Sequence, residues 1–222
     1  MVSALFDLLI NPGRFFKENL GETEKLTVPG LIVLAGAIIG AIYGYLLGSL
    51  TATMMDSAMT GMGALILVFI VVGAFIGVFL FWLIATAIFF LLSKLFKGEG
   101  SFNRSLEVVG YGYLPQIIGQ VITLAAAVYY LPNVTVPQLT SAALQDTAMM
   151  TQATKSLMLD PAMVAYTEIA AVVTIVFMLW SANIWIFGIA HARKLSVKNA
   201  AICVGAPIVI YVAYLCITMS GA

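Results

Sequence analysis

The chain is poor in charge. Of its 222 residues only 9% are Asp, Glu, Lys or Arg, and the formal net charge is zero. A soluble domain carries roughly 25%, so a water-covered globule is excluded. The even balance leaves no electrostatic footprint for nucleic acid. Cysteine is nearly absent. Cys203 and Cys216 both fall in the last apolar run, roughly 20 Å apart along a helix. They cannot bond to each other and read as small apolar residues. His191 is the one histidine. It stands beside Arg193 and Lys194, where positive groups suit a helix C-terminus, and a lone histidine is no zinc site. Neither H-E-x-x-H nor G-x-S-x-G occurs, which removes two hydrolase signatures. No catalytic pair is visible, so no enzyme, metal or cofactor is expected. The first ten residues carry Asp7 and no basic run, so no cleavable signal peptide is expected.

What is there is apolar: 62% of residues are hydrophobic. Five runs, at about 28–51, 64–90, 107–131, 166–190 and 200–219, are long enough to cross a bilayer. The expected fold is all-α, a polytopic membrane protein with five transmembrane helices. Residues 28–222 form its transmembrane domain. An external loop with a surface helix lies at about 132–165, after Pro132 and Pro137 and before the helix-start signal Asp160-Pro161. The basic residues Arg14, Lys17, Lys25, Lys94, Lys97, Arg104, Arg193, Lys194 and Lys198 fall on one set of alternate segments, and only Lys155 on the other. That bias predicts a cytoplasmic N-terminus and an external C-terminus.

Residues 1–27 are too short and too polar to span. Asn11-Pro12 is a cap followed by a first-turn proline. The segment reads as a cytoplasmic interfacial amphipathic helix, with Phe15 and Phe16 in the headgroup boundary and Arg14 and Lys17 near lipid phosphates. The alternative is a short helix packed on the bundle floor.

Glycine marks the expected helix contacts. Gly36, Gly40, Gly44 and Gly48 recur every fourth residue, and Gly73 and Gly77 repeat the spacing. Such a glycine zipper lets backbones approach closely, within one chain or between two copies.

The stretch from Glu107 to Gly119 opens the third span and holds Gly110, Tyr111, Gly112, Tyr113 and Pro115. Pro115 predicts a kink, and the glycines predict helix contacts. Val109-Gly110-Tyr111-Gly112 spells part of a potassium-channel filter. The threonine before it and the aspartate after it are missing, and a basic loop precedes it, which speaks against that reading. Intramembrane polar residues are functional candidates. Glu107 is expected to pair with Arg104, and Glu168 to sit at the interface. Gln116 and Gln120 lie one turn apart and are expected to share a face with Asn183. Interhelical hydrogen bonds are the favoured reading of that set, ahead of a transport path for a neutral solute.

Eight of eleven methionines fall in the external segments. If the loop is helical, Met55, Met59 and Met62 share a face with soft Cu(I)-type ligands. Packing of the outer loops is the favoured explanation.

Two stretches carry a family resemblance. Leu8 to Phe16, with Asn11-Pro12 before its phenylalanines, resembles the opening of prokaryotic Yip1-domain proteins. Asn103 to Tyr111, continued through Pro115 and Gly119, resembles that family's loop into the third span. The resemblance implies five spans and a cytoplasmic N-terminus. It implies a non-enzymatic membrane-organising or trafficking role that touches lipid, a further copy or a cytoplasmic partner, in a bacterial or archaeal cell membrane. Eukaryotic relatives associate with Rab-type GTPases, as the resemblance implies. Their long N-terminal Asp-Leu-Tyr-Gly-Pro type region does not occur in residues 1–27, so that partner is not expected. A small transporter or channel is the alternative.

Overall fold

A computed structural model describes residues 2–56, 58 and 61–220 of the chain. Among these it is helical, without strands. The order is α1 (Val2–Ile10), α2 (Pro12–Asn19), α3 (Thr27–Asp56), α4 (Gly63–Leu95), α5 (Phe102–Tyr111), α6 (Leu114–Tyr130), α7 (Thr147–Met158), α8 (Pro161–Ala192) and α9 (Val197–Ser220). Five stretches are long and apolar enough to cross a membrane: Thr27–Asp56, Gly63–Leu95, Phe102–Asn133, Pro161–Ala192 and Val197–Thr218. With them the fold is that of a multi-pass integral membrane protein.

Polar side chains start the helices where the sequence places capping residues. Asn11 Oδ1 accepts from Arg14 N at 3.2 Å, with Pro12 first in α2. Ser101 Oγ accepts from Arg104 N at 3.0 Å at the start of α5. Asp160 Oδ1 accepts from Ala162 N at 2.9 Å at the start of α8. Each meets a backbone donor that the first helical turn leaves orphaned. Thr135 N donates to the other Asp160 oxygen at 3.0 Å, and these bonds hold the carboxyl below the usual carboxylate range.

The chain divides into two compact units. Unit 1 comprises residues 1–36, 78–119 and 174–222, and unit 2 comprises 37–77 and 120–173. The core of unit 1 gathers Leu8, Phe15, Phe16, Val33, Phe89, Val108, Val109, Tyr113, Ile184 and Trp185. Nine of the ten basic residues belong to unit 1, and Lys155 alone to unit 2.

Unit 2 packs Met54, Ala127, Leu131, Leu139, Leu157, Met163 and Tyr166 together, with Met55 and Met150 against them. Leu139 N donates to Met54 O at 2.9 Å, which ties the segment after α6 to the end of α3. These methionines are packing residues. The shared face for Met55, Met59 and Met62 does not form, because α3 ends at Asp56 and Met62 lies beyond it. Met59 lies outside the described residues.

The glycines of α3 and α4 differ. In unit 2, a Cβ on Gly44 would stand 2.9 Å from Ala74 Cβ and 3.2 Å from the carbonyl oxygen of Ile70. One on Gly48 would stand 3.0 Å from side-chain atoms of Ile70 and Leu67. Gly44 and Gly48 are therefore where α3 and α4 approach closely. At Gly73 and Gly77 a Cβ would meet open space, so that pair seats no helix among the described residues. Gly36 is buried and Gly40 is half-buried. Gly44→Leu is expected to destabilise the protein by about 3 kcal/mol, the upper range of overpacking. Gly73→Leu should leave thermal unfolding in detergent unchanged. Equal Tm losses in the two variants would contradict this division.

Candidate functional site

The motif helix α5 is the centre of unit 1. In a continuous helix, Tyr113 N would serve the carbonyl of Val109. Gly112 N still makes the regular helical bond to Val108 O at 3.2 Å, but Tyr113 N turns instead to Gly110 O at 3.2 Å. Pro115, second in α6, has no N–H for the carbonyl of Tyr111. The predicted kink is thus a break at Gly112–Tyr113. A carbonyl freed in hydrocarbon needs a protein donor. Trp185 Nε1 supplies it, donating to Val109 O at 2.8 Å in a fully buried bond. Trp82 Nε1 likewise donates to Leu106 O at 3.0 Å.

Gly112 and Gly110 make room for these indoles, and Gly119 for a phenylalanine. A Cβ on Gly112 would collide with Nε1 and Cδ1 of Trp185. One on Gly110 would come within 2.6 Å of Pro29 Cβ and 3.1 Å of Trp82 Cζ2. One on Gly119 would come within 2.8 Å of Phe177. The glycines admit aromatic rings, where the sequence predicts helix backbones.

The N-terminal phenylalanines belong to the same packing. Phe16 is fully buried and Phe15 is 3% exposed. The Phe15 ring lies 5.2 Å and the Phe16 ring 6.2 Å from Tyr111. Of the two sequence readings, the floor-packing one describes these residues, and the headgroup-boundary placement is corrected. The amphipathic stripe is real, but its apolar side meets α5 and α8 rather than lipid. Trp180 Nε1 donates to Leu9 O at 3.0 Å and anchors the end of α1. Pro12 is buried, while Asn11, Arg14 and Lys17 are exposed. Arg14 pairs with Glu18 at 3.0 Å.

At the start of α5 lies a polar cavity of about 280 Å³ whose lining includes Glu22, Glu24, Ser101, Arg104, His191 and Lys194. Arg104 donates to Glu107 Oε2 at 2.6 Å and to the carbonyls of Gly21 and Glu22 at 2.8 and 3.0 Å. The expected Arg104–Glu107 pair is therefore present, with Glu107 buried. Ser101 Oγ donates to Glu24 Oε1 at 2.5 Å, and this bond holds the Glu24 carboxyl below the usual range. With its hydroxyl proton on Glu24 and its oxygen capping α5, Ser101 is not poised against His191 as a nucleophile is against a base. The cavity presents both signs of charge at its mouth, an arrangement suited to a headgroup or a protein surface.

The intramembrane polar set separates. Gln116 Nε2 donates to Ser181 Oγ at 3.2 Å and touches Met178 Sδ at 3.6 Å. Asn183 is exposed and does not join Gln116, so the shared face expected for them is corrected. Ser181 and Asn183, two positions apart on α8, point apart because two residues turn a helix by roughly 200°. Within unit 2, Tyr43 Oη donates to the backbone carbonyl of Gln120 at 3.5 Å. Glu168 is exposed.

Sequence reasoning missed three side chains that hold the site. Trp82 and Trp185 carry no motif in the sequence, and Arg193 counts there only among the basic residues. Arg193 is 2% exposed. Its Nε donates to Ser93 Oγ at 2.8 Å, one terminal nitrogen to Gly98 O at 2.7 Å and the other to Gly100 O. Its guanidinium lies over Phe90 at 4.2 Å.

Tyr113 is also buried, its ring 5.8 Å from Trp185, and its hydroxyl has no hydrogen-bond partner among the described residues. An unmet buried donor costs about 1–3 kcal/mol. Tyr113→Phe is therefore expected to be neutral or stabilising in thermal unfolding. A fall in Tm would show that the hydroxyl has a partner.

The family model described as Yip1 domain matches residues 6–219 of the chain. An uncharacterized protein of Methanocaldococcus jannaschii is 37% identical over 125 residues, covering 56% of this chain and 89% of that protein. No solved structure matches.

Proposed function

Because the chain belongs to the Yip1 domain family, we propose that it acts as a non-enzymatic membrane-organising scaffold. Its contact surface is the charged mouth of the α5 cavity, which meets lipid headgroups or a cytoplasmic protein. The observation that carries this reading is the division of labour around α5. The family-motif residues Gly110, Gly112 and Tyr113 are buried in packing, while Glu22, Glu24, His191 and Lys194 stay exposed beside them. The motif thus frames a surface.

The archaeal relative and the apolar helices support a bacterial or archaeal cell membrane as the location. Oligomers of this chain fit the same reading. The unfilled Gly73–Gly77 notch on α4 suits close approach of a further helix. The transport alternative draws less support, because Gln116 is engaged with Ser181 and Asn183 faces outward.

The test is stopped-flow light scattering of proteoliposomes exposed to glycerol or urea, paired with native mass spectrometry from nanodiscs. A scaffold gives the solute permeability of empty vesicles, and it leaves the nanodisc with lipid or a further copy bound. Solute flux above the empty-vesicle rate would overturn the proposal.

A further inference from the structure

Unit 1 holds an apolar cavity of about 180 Å³ between α4 and α9, bounded also by Met178 and Trp185 of α8. Its lining falls into two sets. Ala85, Phe89, Met178, Trp185 and Ile208 are at most 8% exposed and form its interior. Phe81, Ile84, Ile88 and Tyr211 are 37–55% exposed and form its mouth.

The depth of the cavity selects what reaches it. All three helices are long and apolar enough to cross a membrane. Phe81 to Phe89 lie roughly 9–21 Å in from the Leu95 end of α4, and Pro207 about 15 Å in from the Val197 end of α9, at 1.5 Å per residue. The mouth therefore opens into the hydrocarbon layer, where lipid chains are the surrounding medium. A cavity of this size left empty deprives its lining of contacts on one side. Water would need several polar partners, and the lining offers only the rim tyrosine and the Trp185 indole N–H, which is already bonded to Val109.

We propose that this cavity seats one hydrocarbon chain of a bilayer lipid, inserted past Phe81 and Ile84 toward Trp185. A chain seat there would serve a scaffold and a transporter alike, so it does not rest on the reading above. It also makes Trp185 a shared wall: one edge bonds the broken α5 helix, and the ring borders the seated chain.

The test uses the full chain in nanodiscs with a phosphatidylglycerol that carries a photoactivatable diazirine midway along one acyl chain. Adducts are mapped by peptide mass spectrometry. Labelling of 81–89 and 207–211 is expected to exceed that of the exposed stretch 65–72 by about tenfold, a clear preference on the affinity scale. Ala85→Phe fills the interior and should abolish that excess while 65–72 labels as before. If Ala85→Phe fails to elute as a monodisperse species, Ile84→Trp blocks the mouth instead and should give the same loss. Even labelling along α4, or excess labelling that survives the filling or blocking variant, would overturn the proposal.

Discussion

Gly112→Ala is expected to cost about 3 kcal/mol, the sum of overpacking in a tight core and a lost hydrogen bond. The added methyl would occupy the position of Nε1 and Cδ1 of Trp185. Gly112 has φ −68°, which any residue adopts, so the penalty is steric and carries no backbone strain. Trp185 has little freedom to yield. It is 1% exposed, bonded to Val109 O at 2.8 Å, and flanked by Phe89 and Tyr113 at 5.6 and 5.8 Å. Moving it would strand the Val109 carbonyl that the helix break exposes. The measurement is a double-mutant cycle by thermal unfolding in detergent. Trp185→Phe alone loses the indole donor. In Gly112→Ala/Trp185→Phe the smaller ring leaves space for the methyl, so the double variant should be more stable than the sum of the single losses implies. Additive losses would show that the two residues do not share this contact.

The five spans and the capping residues were legible in the sequence because each depends on a local property. Apolar length marks a span, and a polar oxygen next to a first-turn proline marks a helix start. Asn11 and Asp160 cap helices for that reason. The Arg104–Glu107 pair was legible because the helix itself sets its spacing. What needed a distant partner was not legible. Trp185 and Val109 are 76 positions apart, and nothing local links an indole to a carbonyl orphaned by a helix break. Phe15 and Phe16 form the same amphipathic stripe whether they face lipid or protein, so periodicity could not choose between the two. Asn183 was assigned a neighbour from its depth in the span, but depth does not set direction around the helix axis. The glycine spacing identified close approach correctly at Gly44 and Gly48, yet the same spacing at Gly73 and Gly77 meets open space. A G-x-x-x-G pair states that an approach is sterically allowed, and only the fold states whether a partner comes.

Arg193→Met is expected to have the second large effect, a loss of about 3 kcal/mol, because three charge-assisted hydrogen bonds vanish from a buried position. Counting basic residues placed Arg193 with the exposed loop charges, and its surroundings make it a latch. Ser93 stands at the end of α4, Gly98 and Gly100 in the loop that follows, and Arg193 just past the end of α8. The guanidinium fork reaches all three acceptors at once, while Glu99 N donates to Arg193 O at 3.0 Å in return. Gly100 has φ +98°, and a Cβ there would stand 2.6 Å from the Ala192 carbonyl oxygen, so the loop runs against α8 only as glycine. No carboxylate among the described residues pairs with this guanidinium. Neutral carbonyl dipoles and the Phe90 face carry the charge instead. Arg193→Lys separates charge from geometry. It keeps the cation, but an ammonium cannot span the fork, and it should lose about 2 kcal/mol on the same grounds. The exposed Arg14–Glu18 pair is the internal control, since surface pairs contribute little and are screened by salt. Arg14→Met should leave Tm unchanged. The Arg193→Met loss should persist undiminished in high salt, because its partners are buried and uncharged. Wild-type stability in Arg193→Lys would show that charge alone holds the loop. A loss in Arg193→Met that disappears in high salt would show that the latch is open to solvent.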